Sequence, residues 1–144
     1  MEEPSPPQFN SAPIHLAACC AVLPDLWSPR VLAQVNGQYL KVARVHGEFP
    51  WHSHEQEDEL FLVLRGELTI GRLEQDGGPV VLRAGEVFVV PRGVRHNTRA
   101  AHETWIALVE PVTTLHTGAE QTTMTRSIAE QLQPVPSSSQ KAVR

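Results

Sequence analysis

Between residues 39 and 109 the chain breaks into short apolar stretches separated by turn-forming residues at intervals of roughly ten, the cadence of a β-sandwich or β-barrel. Residues 39–46 read as a strand, 60–64 as an unbroken apolar run ended by Arg65-Gly66, and 67–73 as an alternating strand that completes a hairpin with it. Asp76-Gly77-Gly78-Pro79 predicts a turn before a strand at 80–83, Ala84-Gly85 another before 87–90, and residues 104–109 close the set. The fold class is therefore all-β, with a short helix over residues 14–23 ahead of the strands. The run Phe61-Leu62-Val63-Leu64 is apolar at every position and must bury both faces, so something outside the barrel has to cover it. Either the N-terminal segment or a second subunit can do so, and closed twofold pairing makes a homodimer the expected assembly.

A chain of 144 residues with 41 % apolar content supports one core, which the pattern assigns to residues 14–118. Residues 1–13 carry four prolines and residues 119–144 are rich in Thr, Ser and Gln; both ends are expected to be mobile, with a short helix possible over 124–132. The net charge of -4 is interspersed and forms no basic stripe, so nucleic acid is not an expected partner. The apolar stretch at 14–23 is too short to cross a bilayer and follows Glu2 and Glu3 rather than a basic start, so neither a membrane nor secretion is expected. Cys19 and Cys20 are neighbours and close no loop; as reduced thiols on a short helix they fit a cytoplasmic protein.

The chemistry concentrates at residues 47–97. His52 and His54 stand two apart, which in extended chain places both rings on one face, able to grip one ion. Glu59 directly precedes the buried run, where a carboxylate without a cation would be costly to desolvate, whereas Glu55, Glu57 and Asp58 read as solvated. His96 follows Gly85, Pro91 and Gly93, a strand, a rigid turn and the start of the next strand. Three imidazoles and one carboxylate suit a divalent ion of the Fe, Mn, Zn or Ni type and leave positions open for a small molecule.

Gly47, His52, His54, Glu59 and Gly66 match the first motif of the cupin superfamily, and Gly85, Pro91, Gly93 and His96 its second. The chain resembles small single-domain cupins, some of them likened to mannose-6-phosphate isomerase, over about residues 14–118. The spacing from Gly47 to His52 is one residue shorter than the usual pattern, and Ala100 stands where an asparagine is common. The resemblance implies a double-stranded β-helix, or jelly-roll, barrel and a metal held by His52, His54, Glu59 and His96. It leaves open a metal-dependent enzyme, dioxygenase or isomerase, against a non-catalytic module that holds a sugar or small acid.

The other histidines, His15, His46, His102 and His116, read as surface or hydrogen-bonded structural groups; His46, one residue ahead of the first motif, is the candidate acid or base if its side chain points inward. Phe49, Trp51, Phe61 and Trp105 read as packing, one or two of them as a pocket wall. Arg44, Arg92 and Arg95 read as surface residues rather than an anion grip.

Overall fold

The computed structural model describes residues 12–136; the expectations for residues 1–11 and 137–144 lie outside the described residues. The chain begins with helix α1 (Leu16–Ala21), followed by strands β1 (Arg30–Val35), β2 (Gln38–Glu48), β3 (Glu59–Arg65), β4 (Glu67–Arg72), β5 (Val80–Arg83), β6 (Val87–Val90) and β7 (His96–Pro111), and then helix α2 (Ile128–Gln131). All pairings are antiparallel, along the path β1-β2-β7-β3-β6, with β4 joining β7 to β5. Strand β7 is the hinge of the architecture. Its first residues pair with β4 and its later ones with β3, while β2 lies along its other edge, so one bent strand curls the sheet around a single interior.

Strand alternation decides what fills that interior. On β2, Ala43 and Val45 enter the main core; on β3, Phe61 and Val63; on β7, Ile106 and Leu108. The intervening residues Val42, Leu62, Leu64 and Ala107 face the other way and pack against Cys20 and Leu23 of the N-terminal segment. The cover required by the 60–64 run is thus supplied by α1 of the same chain. That helix is short because His15 caps it, its Nδ1 accepting the Ala18 N–H at 3.0 Å, and Pro24 stops it soon after. Burial pushes the Cys20 thiol up to about 12, with Cys19 adding to the effect, which leaves it an inert packing group.

Two features exceed the sequence reading. Strand β1 pairs with β2 through the two-residue turn Asn36-Gly37, Asn36 taking a left-handed φ of 50°. Strand β7 starts at His96 rather than 104, so the last motif histidine is its first residue. Between β3 and β4, Gly66 adopts φ +93°, and a Cβ there would lie 2.6 Å from Thr104 Oγ1 and 3.2 Å from Thr104 Cα. Thr104 Oγ1 also accepts the Glu67 N–H at 3.2 Å, so the hairpin is locked to β7 at this point. Gly66→Ala is expected to cost roughly 1–3 kcal/mol from the backbone alone, measured by chemical denaturation; an unchanged midpoint would remove this turn from the constraints on the barrel.

The segment beyond residue 118, expected from its composition to be solvated and mobile, folds back on the barrel as far as residue 136. α2 opens with a capping box between Ser127 and Glu130. Gln131 at its end is 2 % exposed, its Oε1 accepting from Lys41 Nζ at 2.6 Å. α2 falls within the stretch 124–132 where a short helix is expected, and it is held by buried polar groups rather than by an apolar stripe.

Candidate metal centre

The four side chains singled out in the sequence converge. His52, His54, Glu59 and His96 are all buried and each offers a ligand atom, these atoms lying within 4.8 Å of one another. Backbone pairing brings them there. His52 and His96 exchange both backbone hydrogen bonds at 2.9 Å, Phe49 N–H donates to Thr98 O at 2.8 Å, and Gly93 N–H donates to His54 O at 2.8 Å, so the first-motif loop lies antiparallel to the start of β7. Asp58 ties the loops again by accepting the Arg92 backbone N–H at 2.9 Å; this carboxylate in the acidic run is therefore structural. Glu59 arrives from the inward face of β3, in register with Phe61 and Val63.

The hydrogen bonds around the rings fix which nitrogen faces the centre. His52 Nδ1 sits 2.8 Å from Pro50 O and His96 Nδ1 2.9 Å from Val94 O, so each Nδ1 carries the proton and each Nε2 is left as the lone-pair donor. His96 Nε2 lies 3.2 Å from Glu59 Oε1, while His54 Nε2 is 3.5 Å from the same oxygen. Both ring nitrogens of His54 are buried and make no hydrogen bond among the described residues. A buried imidazole with neither nitrogen satisfied is costly, and a cation at the point the four groups share removes the cost. The residues fit a divalent metal.

Burial, reinforced by the neighbouring His96, pushes His52 down to about 4. Burial also pushes Glu59 upward, but the facing rings of His54 and His96 outweigh it and hold the carboxyl well below the usual range. His96 is lowered by burial yet raised on balance by its hydrogen bond to Glu59 and that group's charge. His116 is likewise down to about 4, mainly by burial, with Lys41 contributing. As pH falls from 6.5 towards 4, the unfolded state takes protons on His52 and His116 that the folded state refuses, so these two groups remove stability across that window. His96 acts in the opposite sense, its contribution being present at low pH and lost as pH rises through its elevated value. The Glu110 carboxyl, raised to about 8, acts in the same sense as His96, so the buried groups oppose one another in pairs across this window.

His46 does not meet the condition set for it: its side chain is exposed, Val45 is the inward residue, and His46 contributes only its carbonyl, to Trp27 Nε1 at 2.9 Å. His15 is a helix cap and His102 is exposed. Arg92 and Arg95 are also exposed, while Arg44 pairs with Glu103 at 2.7 Å and donates to Leu23 O; none lines the inner cavity. That cavity, of about 40 Å³, lies inside the barrel against His52 and Glu59. Its apolar wall includes Trp27, Val45, Phe49, Phe61, Ile106 and Leu108, and its other polar groups are Thr98 and His116. A second hollow of about 250 Å³, lined by Ser53, Glu55, Glu57 and Arg95 among others, lies on the outer side of His52 and His54.

His116 is the site residue that the sequence reading did not single out. Its ring packs 4.8 Å from that of Phe49, which in turn meets His52 edge-on at 5.5 Å. Behind the centre, Glu110 on β7 lies next to Glu59; burial, with Glu59 as the second cause, raises its carboxyl to about 8. Lys41 Nζ lies 2.7 Å from Glu110 Oε1, both groups almost wholly buried.

A curled antiparallel barrel with three buried histidines and a buried glutamate gathered together is a β-barrel with a candidate metal site. Residues 40–112 match the Cupin domain family, and the chain belongs to it. Over 69 residues it is 38 % identical to the uncharacterized protein YdbB of Bacillus subtilis, covering 48 % of this chain and 59 % of that one. Over 55 residues it is 44 % identical to oxalate oxidase 1 of Hordeum vulgare, covering 35 % of this chain and 27 % of that one. The chain thus spans less than two thirds of either curated relative. Among solved structures, a cupin-2 domain containing protein from Shewanella frigidimarina superposes with a TM-score of 0.59 at 40 % identity, over 63 % of this chain and 86 % of that one. The cupin barrel expected from the two motifs is the observed fold. Among the described residues no helix is long and apolar enough to cross a membrane.

Proposed function

We propose that this cupin is a metal-dependent enzyme that oxidises a small molecule whose buried part is apolar and whose head carries oxygen donors. The observation that carries the reading is the convergence of His52, His54, Glu59 and His96 within 4.8 Å, His54 otherwise unsatisfied, beside an apolar cavity. A divalent ion held there would supply Lewis acidity and, as iron or manganese, redox capacity. The chain's own residues do the rest. Pro50 O and Val94 O orient the rings of His52 and His96, and Trp27, Phe49 and Phe61 keep water from the inner wall.

The cavity argues against a sugar phosphate. Among the described residues no lysine or arginine lines it, and about 40 Å³ holds only about three water-sized groups, a poor match for a polyhydroxylated sugar phosphate. The similarity to oxalate oxidase over 55 residues is consistent with oxidation of a small acid. The test is to load the chelator-stripped protein anaerobically with Fe(II) or Mn(II), add air, and follow oxygen uptake with oxalate and other small carboxylates and with dihydroxy aromatics. Uptake that needs both metal and substrate supports the reading. Substrates bound but recovered unchanged would make this a binding module, and turnover without oxygen uptake would make it a Lewis-acid isomerase or hydrolase.

Two further parts of the reading concern context. Val87 and Val89 are 55 % and 46 % exposed on β6, at the end of the sheet path, and support pairing of two copies, which light scattering would test. The free Cys19 and Cys20 suit the reducing cytoplasm.

A further inference from the structure

The segment after β7 does more than close the barrel. Gly118, at φ +65°, passes so close to the first-motif loop that a Cβ would stand 2.2 Å from Ser53 O, between the two histidines of that loop. Thr117 is buried and its hydroxyl bonds to Thr125 Oγ1 at 2.6 Å and to Glu120 O, which folds residues 117–125 into a compact strap. Gln131 anchors the strap's far end to Lys41 at 2.6 Å. Between these anchors His116 reaches the inner cavity, on the wall shared with His52 and Glu59.

Its orientation is chemically specified. The backbone N–H of Arg126 donates to His116 Nδ1 at 2.8 Å, so Nδ1 must be the unprotonated nitrogen and the neutral ring carries its proton on Nε2. This is the reverse of His52 and His96, whose Nδ1 atoms face carbonyl oxygens. A ring with Nε2–H cannot offer that nitrogen to a metal, but it can donate a hydrogen bond. Among the described residues, Nε2 has no protein acceptor in the hydrogen-bond network, and the cavity wall around it is mostly apolar.

We propose that His116 is a ligand-binding residue, its Nε2–H held by the Arg126 backbone as a donor to an acceptor oxygen of a molecule seated beside His52 and Glu59. The inference rests on the metal-site reading given above and adds the second point of attachment: the metal takes one donor atom of the ligand and His116 another. It also gives the strap a role in specificity, because the donor exists only when residues 116–126 are folded. A molecule with an acceptor oxygen near its metal-binding head is selected over one without it.

The test uses the full chain loaded with zinc, with acetohydroxamate, a compact two-oxygen chelator, as the probe in calorimetric titration. His116→Phe keeps a ring against Phe49 and removes the donor; His116→Gln places an amide N–H₂ near the Nε2 position. The expected result is zinc affinity within about twofold of the parent in both, acetohydroxamate binding roughly tenfold or more weaker in the Phe variant, and recovery in the Gln variant. In the parent, ¹⁵N spectra of His116 are expected to show protonated Nε2 and unprotonated Nδ1, with the Nε2 resonance shifting on probe binding. Equal probe affinity in parent and Phe variant, or the opposite tautomer, overturns the proposal and leaves His116 a structural latch. Absence of zinc binding by the parent overturns the metal-site reading, and this inference with it.

Discussion

A His54→Ala variant is expected to lose its metal and keep its fold. Affinity for Zn(II) or Mn(II), measured by competition with a chelator of known strength, should fall by more than the roughly 100-fold seen when an outer partner of a ligand is removed, because a ligand itself is deleted. The barrel should survive, since its core of Val45, Phe61, Val63, Leu68, Ile70 and Ile106 lies on strands paired without any contribution from an ion. The metal-free form is expected to be little destabilised. The substitution leaves a void, but it also removes two buried nitrogens that make no hydrogen bond among the described residues, each worth about 1–3 kcal/mol of desolvation. The contrast appears on adding metal. A parent protein at 100 times its dissociation constant gains about 2.7 kcal/mol by linkage, and the variant gains almost nothing at the same concentration. Full metal occupancy in the variant would end the ligand assignment.

The four residues of the candidate site were legible in the sequence because each is specified locally. His52 and His54 are set by a two-residue spacing, Glu59 by its place at the head of an apolar run, and His96 by the Gly85, Pro91 and Gly93 turns before it. The all-β class was legible for a similar reason, since the turns that join the strands carry glycine or proline, and the jelly-roll form followed from the resemblance of the two motifs. Where the reading fell short, the cause was either a missed local signal or information held at long range. Strand β1 belonged to the first kind, for Asn36-Gly37 between apolar residues is a hairpin signature. The early start of β7 was hidden because His96, Asn97, Thr98 and Arg99 are polar; three of these are buried, since they border the metal centre and pair with β4. The choice of cover for Leu62 and Leu64 could not be made from pattern alone, as α1 and a second subunit would present the same apolar demand. His116 and Gln131 belong to the second kind. Nothing near them in the chain announces a buried role; they acquire it only when the strap returns to β2 and to the first-motif loop.

Lys41 gives the other large effect. Lys41→Met is expected to destabilise the protein by about 3–5 kcal/mol above pH 8, where it strands the ionised Glu110 in the barrel beside the already negative Glu59. The pH dependence follows from the carboxyl's position. Burial already lifts Glu110 to about 8 with Lys41 present, and loss of the ammonium lifts it further. A carboxyl whose folded value lies above its unfolded value contributes stability at low pH and loses it as pH rises through the folded value. The Lys41→Met defect should therefore be smaller below pH 8 and grow above it, read as the difference in denaturation midpoint from the parent. Lys41→Met with Glu110→Gln removes both charges and should recover most of the loss, whereas Glu110→Gln alone should be milder because Lys41 keeps Gln131 Oε1 at 2.6 Å. The single variant should also raise hydrogen exchange across residues 126–132, since Gln131 would lose the donor that seats α2 while its own Nε2 still binds Arg126 O at 2.9 Å. If exchange there is unchanged while stability falls, the strap is held by Thr117 and Gly118, and Lys41 serves only the carboxylate behind the metal centre.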